Sequence, residues 1–163
     1  MTQVLLHAPQ DFTNVCVIAR TLEAFGVPSC VVFDPHRLIR PRYGKSYTQR
    51  LRTVSAGAFF KIAWQTVAQP AEVLAAHAGR CIAVSSSAAA APLFAFALRA
   101  DDLFVFGSEG HGIPTDVVAA CDAEITIPLS GATRSLNLAV AVGIVLAEHA
   151  RQTARGGRVD QTK

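Results

Sequence analysis

Residues Leu103–Arg151 read LFVFGSEGHGIPTDVVAACDAEITIPLSGATRSLNLAVAVGIVLAEHAR, and their reading decides the fold. Two short apolar runs, Leu103–Phe106 and Ala123–Ile127, have the length and the β-branched or aromatic content of buried strands. Each opens into a turn rich in Gly, Pro and Ser, and each turn leads to a helical pattern: Gly107–Gly112 before Ile113–Ala120, and Pro128–Ser135 before a helix from Ser135 to Arg151. Two strand-loop-helix units in tandem predict parallel strands with their carboxyl ends side by side, where open α/β sheets bind ligands. Three glycines within Gly107–Gly112 allow a close backbone approach to a flat ligand. Either loop alone is accounted for by an ordinary βα turn. Together, with Glu109 on one and Arg134, Ser135 and Asn137 on the other, they mark a candidate site.

Working outward, Val4–His7 and Ser29–Phe33 read as strands flanking a helix that Asp11 or Thr13 caps and Gly26 stops. This is a parallel crossover unit, and the class expected is an α/β fold, a parallel sheet with helices on both faces. The turn Ala8–Thr13 has no glycine, which argues against a dinucleotide fingerprint. Further on, a weak strand is expected near Lys61–Trp64, a helix over Pro70–His77 and a strand over Cys81–Ser85. A loop and short helix are expected between Ala88 and Leu98. The 163 residues fit one domain, residues 1–151, with residues 152–163 as a disordered tail. Cys16, Cys30, Cys81 and Cys121 are scattered and read as reduced core residues, with no metal site. No signal peptide is evident and the longest apolar stretch, Leu136–Ala147, is too short to span a bilayer, so a cytoplasmic protein is expected.

Net charge is only +3, but its distribution is uneven. Between Pro35 and Ala71 stand seven basic residues (Arg37, Arg40, Arg42, Lys45, Arg50, Arg52, Lys61) and no acid, leaving eight basic against twelve acidic residues elsewhere. A basic segment on an acidic body, with Tyr43 and Tyr47 interleaved, is the footprint of a chain that tracks phosphates; a solvated charged loop is the plainer account. The expected RNA contacts are Arg37, Arg40, Arg42, Lys45, Arg50 and Arg52.

FGSEGHGIP and IPLSGATRSLNLAVAVGIVLAEHARQ resemble the second and third motifs of the SpoU/TrmH family, RNA ribose 2′-O-methyltransferases of the SPOUT class. DFTNVCVIARTLEAFGV is similar to the first motif, with Cys16 where the family usually has Gly and Thr13 where Pro is frequent. The resemblance implies a C-terminal trefoil knot, a homodimer, S-adenosylmethionine as cofactor, and methylation of a ribose in structured RNA, tRNA ahead of rRNA. It carries catalytic roles to Arg20, Asn14, Glu109, Ser135 and Asn137. It also implies a cofactor site at Val84, Gly107, Gly112, Ile127, Leu129, Ser135 and Leu136.

The residues keep plainer accounts open. Arg20 and Asn14 lie six residues apart, about 600° of helical rotation, and do not share a tight face. Arg20 suits an ion pair with Glu23; Glu109 suits a carboxylate satisfied by helix N–H groups; Ser135 and Asn137 suit caps of the last helix. A non-catalytic RNA-binding module is the alternative function. A nucleotide hydrolase is disfavoured, because neither a phosphate loop nor acidic metal ligands are present.

Overall fold

The computed structural model of the protein describes residues 2–39 and 44–154. Seven strands, β1 Gln3–His7, β2 Ser29–Phe33, β3 Ala63–Val67, β4 Cys81–Val84, β5 Ala91–Pro92, β6 Leu103–Phe106 and β7 Ala123–Thr126, form one sheet in the order β3-β2-β1-β6-β4-β7-β5. Every neighbouring pair is parallel. The helices are α1 Phe12–Ala24, α2 Gly44–Val54, α3 Pro70–Ala76, α4 Thr115–Ala119 and α5 Leu138–Thr153.

The continuous apolar runs of β1, β2, β4 and β6 follow from burial on both faces, the condition of a parallel sheet covered by helices. On one face Leu6, Ile82, Phe104, Phe106 and Ile125 join a core with Ile18 and Leu22 of α1 and Val142, Val145 and Leu146 of α5. On the other, Leu5, Leu103 and Val105 meet Leu74 of α3 and Val117 of α4. Full burial contributes roughly 1.5–3 kcal/mol per large apolar side chain, which is why these runs set the layering.

Helix α1 begins where the Asp11 carboxylate accepts from the Thr13 N–H at 2.6 Å. It ends in a Schellman motif: Gly26, at φ +67°, donates to the Glu23 carbonyl, and Val27 donates to that of Leu22. Asp11 and Gly26 thus act as the sequence predicts.

Several expectations need correction. The carboxyl ends of β6 and β7 are not adjacent, because β4 lies between them. The last helix starts at Leu138, not Ser135, because the Asn137 side chain takes the Ala139 and Val140 N–H groups and sets the first turn there. Its far end runs past Arg151 through Thr153, since Gln152 accepts from the Leu98 N–H and donates to the Phe96 carbonyl. The tail predicted from residue 152 therefore has its first two residues in the fold; residues 155–163 lie outside the described residues. The weak strand expected at Lys61–Trp64 is a 3-10 turn at Ala58–Lys61 followed by β3, an edge strand whose half-exposed pattern gives no clean alternation. The strand β5 was not expected; two residues are too few to leave a periodic signal. Because β7 lies between β4 and β5, the link 85–90 has to cross β7 to rejoin the sheet. No helix among the described residues is long and apolar enough to cross a membrane.

Candidate active site

The carboxyl ends of β1, β4, β6 and β7 open onto the two loops that the sequence singles out. Glu109, after β6, turns its carboxylate across to the start of α1. It accepts from the Gln10 N–H at 2.9 Å, the Asp11 N–H at 3.3 Å and the Asn14 Nδ2 at 2.7 Å. A carboxylate can only accept, so Asn14 presents its amide nitrogen to it and its Oδ1 elsewhere. That Oδ1 accepts from Asn137 Nδ2 at 2.9 Å, and Asn137 Oδ1 caps α5. One directional chain of hydrogen bonds therefore joins the loop after β6, helix α1 and helix α5. Each amide's orientation is dictated by the group before it, and Asn14 is buried within the chain.

Arg20 is exposed and makes no hydrogen bond or ion pair among the described residues. The pairing with Glu23 left open by the sequence does not form; Glu23 binds Lys61 at 2.6 Å instead. Arg20 is therefore a free cation about one and two-thirds turns along the helix from Asn14.

Beside this chain lies a cleft of about 1080 Å³. Ligand pockets commonly enclose roughly 300–1,000 Å³, so it takes a nucleoside-sized molecule. Val84, Gly107, Gly112, Ile127, Leu129, Ser135 and Leu136 all line it, as do Glu109 and Arg134. Asn14, Arg20 and Asn137 do not, and Glu109 is the residue shared by the cleft and the hydrogen-bonded chain. Between Pro128 and Leu136 no main-chain N–H or carbonyl has a partner among the described residues, which leaves a row of donors and acceptors for a ligand's edge.

The loop after β6 is closed on itself: Ser108 and Gly112 exchange two main-chain hydrogen bonds of 3.0 Å. Gly112 sits at φ +68°, and a Cβ on Gly107 would fall 2.0 Å from the Gly112 carbonyl carbon. Gly107 is thus demanded by the loop's own closure. At Gly131 a Cβ would meet nothing within 4 Å, so no such demand exists there.

Sequence reasoning passes over part of the cleft wall. Thr115 and Val118 of α4 line it, and so does Glu124, which accepts from Ser85 Oγ at 2.5 Å. The signal was the alternation along Ala123–Thr126: with Ile125 buried in the core, Glu124 and Thr126 face the other way. Ser85–Ser87, which the sequence leaves open to a ligand contact as well as to a plain turn, also line the cleft. The cysteines are free; burial raises the thiols of Cys16 and Cys81 to about 11 and that of Cys121 to about 12, and pushes Cys30 up further. No group of His, Cys, Asp or Glu among the described residues is placed to hold a metal ion. Of the basic set, Arg37, Arg50 and Arg52 are exposed, Lys45 lies in the first turn of α2, and Arg40 and Arg42 lie outside the described residues.

Comparison with known proteins gives these positions a family. The model of the SpoU rRNA Methylase family matches residues 1–147. The chain belongs to the SpoU family. It is an RNA methylase of that family, with the parallel sheet of the SpoU/TrmH fold. A tRNA (cytidine(34)-2′-O)-methyltransferase of Beijerinckia indica subsp. indica is 31% identical over 161 residues, covering 94% of this SpoU chain and 93% of the relative. An uncharacterized tRNA/rRNA methyltransferase of Mycobacterium ulcerans is 33% identical over 151 residues, covering 91% of this chain and 46% of that protein, so the chain spans about half its length. Among solved structures, the TrmH/SpoU tRNA modifying enzyme of A. aeolicus matches with a TM-score of 0.80 at 23% identity, over 93% of this chain and 74% of that one. A structure described as giving insights into the 2-OH methylation of C/U34 on tRNA matches with a TM-score of 0.75 at 29% identity, over 93% and 95% of the two chains. The SpoU methyltransferase AviRb of Streptomyces viridochromogenes, solved in complex with AdoMet, matches with a TM-score of 0.74 at 24% identity, over 92% and 59%.

Proposed function

We propose that the chain transfers a methyl group from S-adenosylmethionine to the ribose 2′-hydroxyl of nucleotide 34 in tRNA. The observation that carries this reading is the Glu109–Asn14–Asn137 chain, which ties α1 to the mouth of the cleft while leaving Arg20 unpaired on the same helix. tRNA is favoured over rRNA by end-to-end likeness: the relative named for tRNA cytidine 34 is matched over 93% of its length, whereas a solved rRNA methyltransferase of Sinorhizobium meliloti is matched over 57%.

S-adenosylmethionine supplies an electrophilic methyl group, so the protein's task is to position the acceptor and manage one proton. The main chain of Ile127, Leu129 and Leu136, with Val84, Gly107, Gly112 and Ser135, would hold the cofactor. Arg20 is the catalytic residue of this reading. As a fixed planar cation with paired donors it grips the ribose and the adjoining phosphate, and the O2′ proton passes to that phosphate or to water. Glu109, its oxygens engaged by three donors, and Asn14 and Asn137, each bonded on both sides, act as positioning residues that set the pitch of α1. Ser135 stands in the cleft wall. Arg37, Arg40, Arg42, Lys45, Arg50 and Arg52 track the RNA backbone. The working form is a homodimer, supported by apolar side chains on the outer face of α1 and α5, and the compartment is the cytoplasm.

Radiolabelled methyl transfer to unmodified tRNA tests the reading. Arg20→Ala should lower the rate by roughly 10²–10³-fold, the scale of losing one preorganised polar contact to the reacting group. RNA affinity should change little, since other cations share that task. Arg20→Lys should also fail, because a point charge cannot reproduce two coplanar donors. Transfer by Arg20→Ala at near the wild-type rate would overturn the assignment.

A further inference from the structure

We propose that Phe60 is a platform on which a base flanking the target nucleotide stacks, with Arg52 beside it holding an adjacent phosphate. A lone exposed Phe is ordinary; this one is 48% exposed and built in. It lies in the 3-10 turn Ala58–Lys61, which leaves Gly57 at φ +81° and is fixed from behind by Ser55 Oγ accepting from the Phe59 N–H at 3.2 Å. Phe59 meets Phe60 edge-on at 5.7 Å and itself stacks on Trp64 at 4.9 Å. The Trp64 indole N–H donates to the Phe59 carbonyl at 2.8 Å, so the aromatic ladder is anchored at its buried end. The Arg52 guanidinium lies 5.3 Å from the Phe60 ring centroid.

The surroundings favour RNA as the occupant. Phe60 lies in the stretch between Pro35 and Ala71 that has seven basic residues and no acid. Lys61, its neighbour, reaches Glu23, one helical turn beyond Arg20 on α1. That ion pair is exposed on both sides and gives way readily to a phosphate. An exposed aromatic ring with a stacked arginine on a cationic surface is the arrangement that binds unpaired bases. Stacking there would fix the strand on one side of the ribose that Arg20 holds.

The inference rests on the tRNA reading above, and the test separates the two. A tRNA carrying 2-aminopurine next to nucleotide 34 is titrated with wild type, Phe60→Ala, Phe60→Leu and Phe60→Trp. Wild type and Phe60→Trp should quench the fluorophore. Phe60→Ala should lose the quench and bind roughly 5- to 150-fold more weakly, the range for one base–aromatic stack. Phe60→Leu should behave like Phe60→Ala, since an apolar side chain without a flat face cannot stack. Thermal midpoint and S-adenosylmethionine affinity should stay at wild-type values. Binding by Phe60→Ala within twofold of wild type, or rescue by Phe60→Leu as full as by Phe60→Trp, would overturn the platform while methyl transfer by wild type left the tRNA reading standing. A changed sedimentation coefficient of Phe60→Ala with unchanged RNA binding would assign the ring to a contact between copies instead. Wild type that neither binds nor methylates the tRNA would overturn the tRNA reading, and the platform with it.

Discussion

Glu109 shows how one residue satisfies two readings at once. Its carboxylate is met by helix-start N–H groups, as the plainer account has it, yet the helix is α1 and not the nearby α4. A charge at the N-terminus of α1 is stabilising in its own right, and the third donor, Asn14, extends the contact to α5. The two glycines that look equivalent in the sequence separate at this scale. Gly107→Ala forces a Cβ against the Gly112 main chain, so the loop after β6 must open. Calorimetry should find S-adenosylmethionine binding weakened roughly tenfold or more, about 1.4 kcal/mol. Gly131→Ala meets no protein atom within 4 Å and should leave thermal stability unchanged, so any loss of binding there reports contact with the ligand. Equal binding by Gly107→Ala and wild type would contradict the closed loop as part of the cofactor site.

At the scale of the element, α5 is held at both ends by side chains rather than by propensity. Asn137 caps its start, and near its end the buried Glu148 carboxylate accepts from Arg151 Nε and Nη2 and from Gln152 Nε2, each at 2.7 Å. Hydrogen bonds from Arg151 first, then Gln152, lower the Glu148 carboxyl from the ordinary 4.5 to about 2. A depressed carboxyl stabilises the fold above its unfolded value, and that contribution disappears as pH falls from 4.5 towards 2. Thermal midpoints measured across that window should fall steeply for wild type and less so for Glu148→Gln. Parallel curves for the two proteins would show that Glu148 is not the group responsible.

Across the whole molecule the two ends of the sheet differ in kind. At the amino ends of the strands, Asp102 is fully buried and takes a bidentate pair from Arg80 at 3.0 and 2.8 Å together with the Arg99 N–H, while His149 Nε2 lies 2.9 Å from the Arg99 carbonyl. At the carboxyl ends the main chain from Pro128 to Leu136 has no hydrogen-bond partner among the described residues. Rigidity at one end supports a site at the other. The outer face of the α1/α5 layer carries exposed apolar side chains, Val17 at 40% and Val140 at 49%, and Gly143 lies close to Thr21. Sedimentation at micromolar concentration should find a dimer, and Val17→Asp with Val140→Asp should dissociate it without loss of secondary structure. A monomeric wild type would refute the dimer.

What the residues determined by themselves was the pattern of the sheet and the place of the site. Unbroken apolar runs such as Leu103–Phe106, alternating with helical patterns, call for a strand covered on both faces, and Gly26 and Asp11 delimit α1 by local backbone chemistry alone. The seven expected cofactor residues share one cleft because strand-end loops of a parallel sheet converge there. Strand order was not legible, since β4 enters between β6 and β7 through pairings some twenty to forty residues apart. Nor were the partners of Glu124 and Asn14, or the lack of one for Arg20 among the described residues: a hydrogen bond such as Asn137 to Asn14, 123 residues apart, leaves no periodicity in the chain. Such contacts depend on where packing brings distant backbones together, and only the tertiary structure decides that.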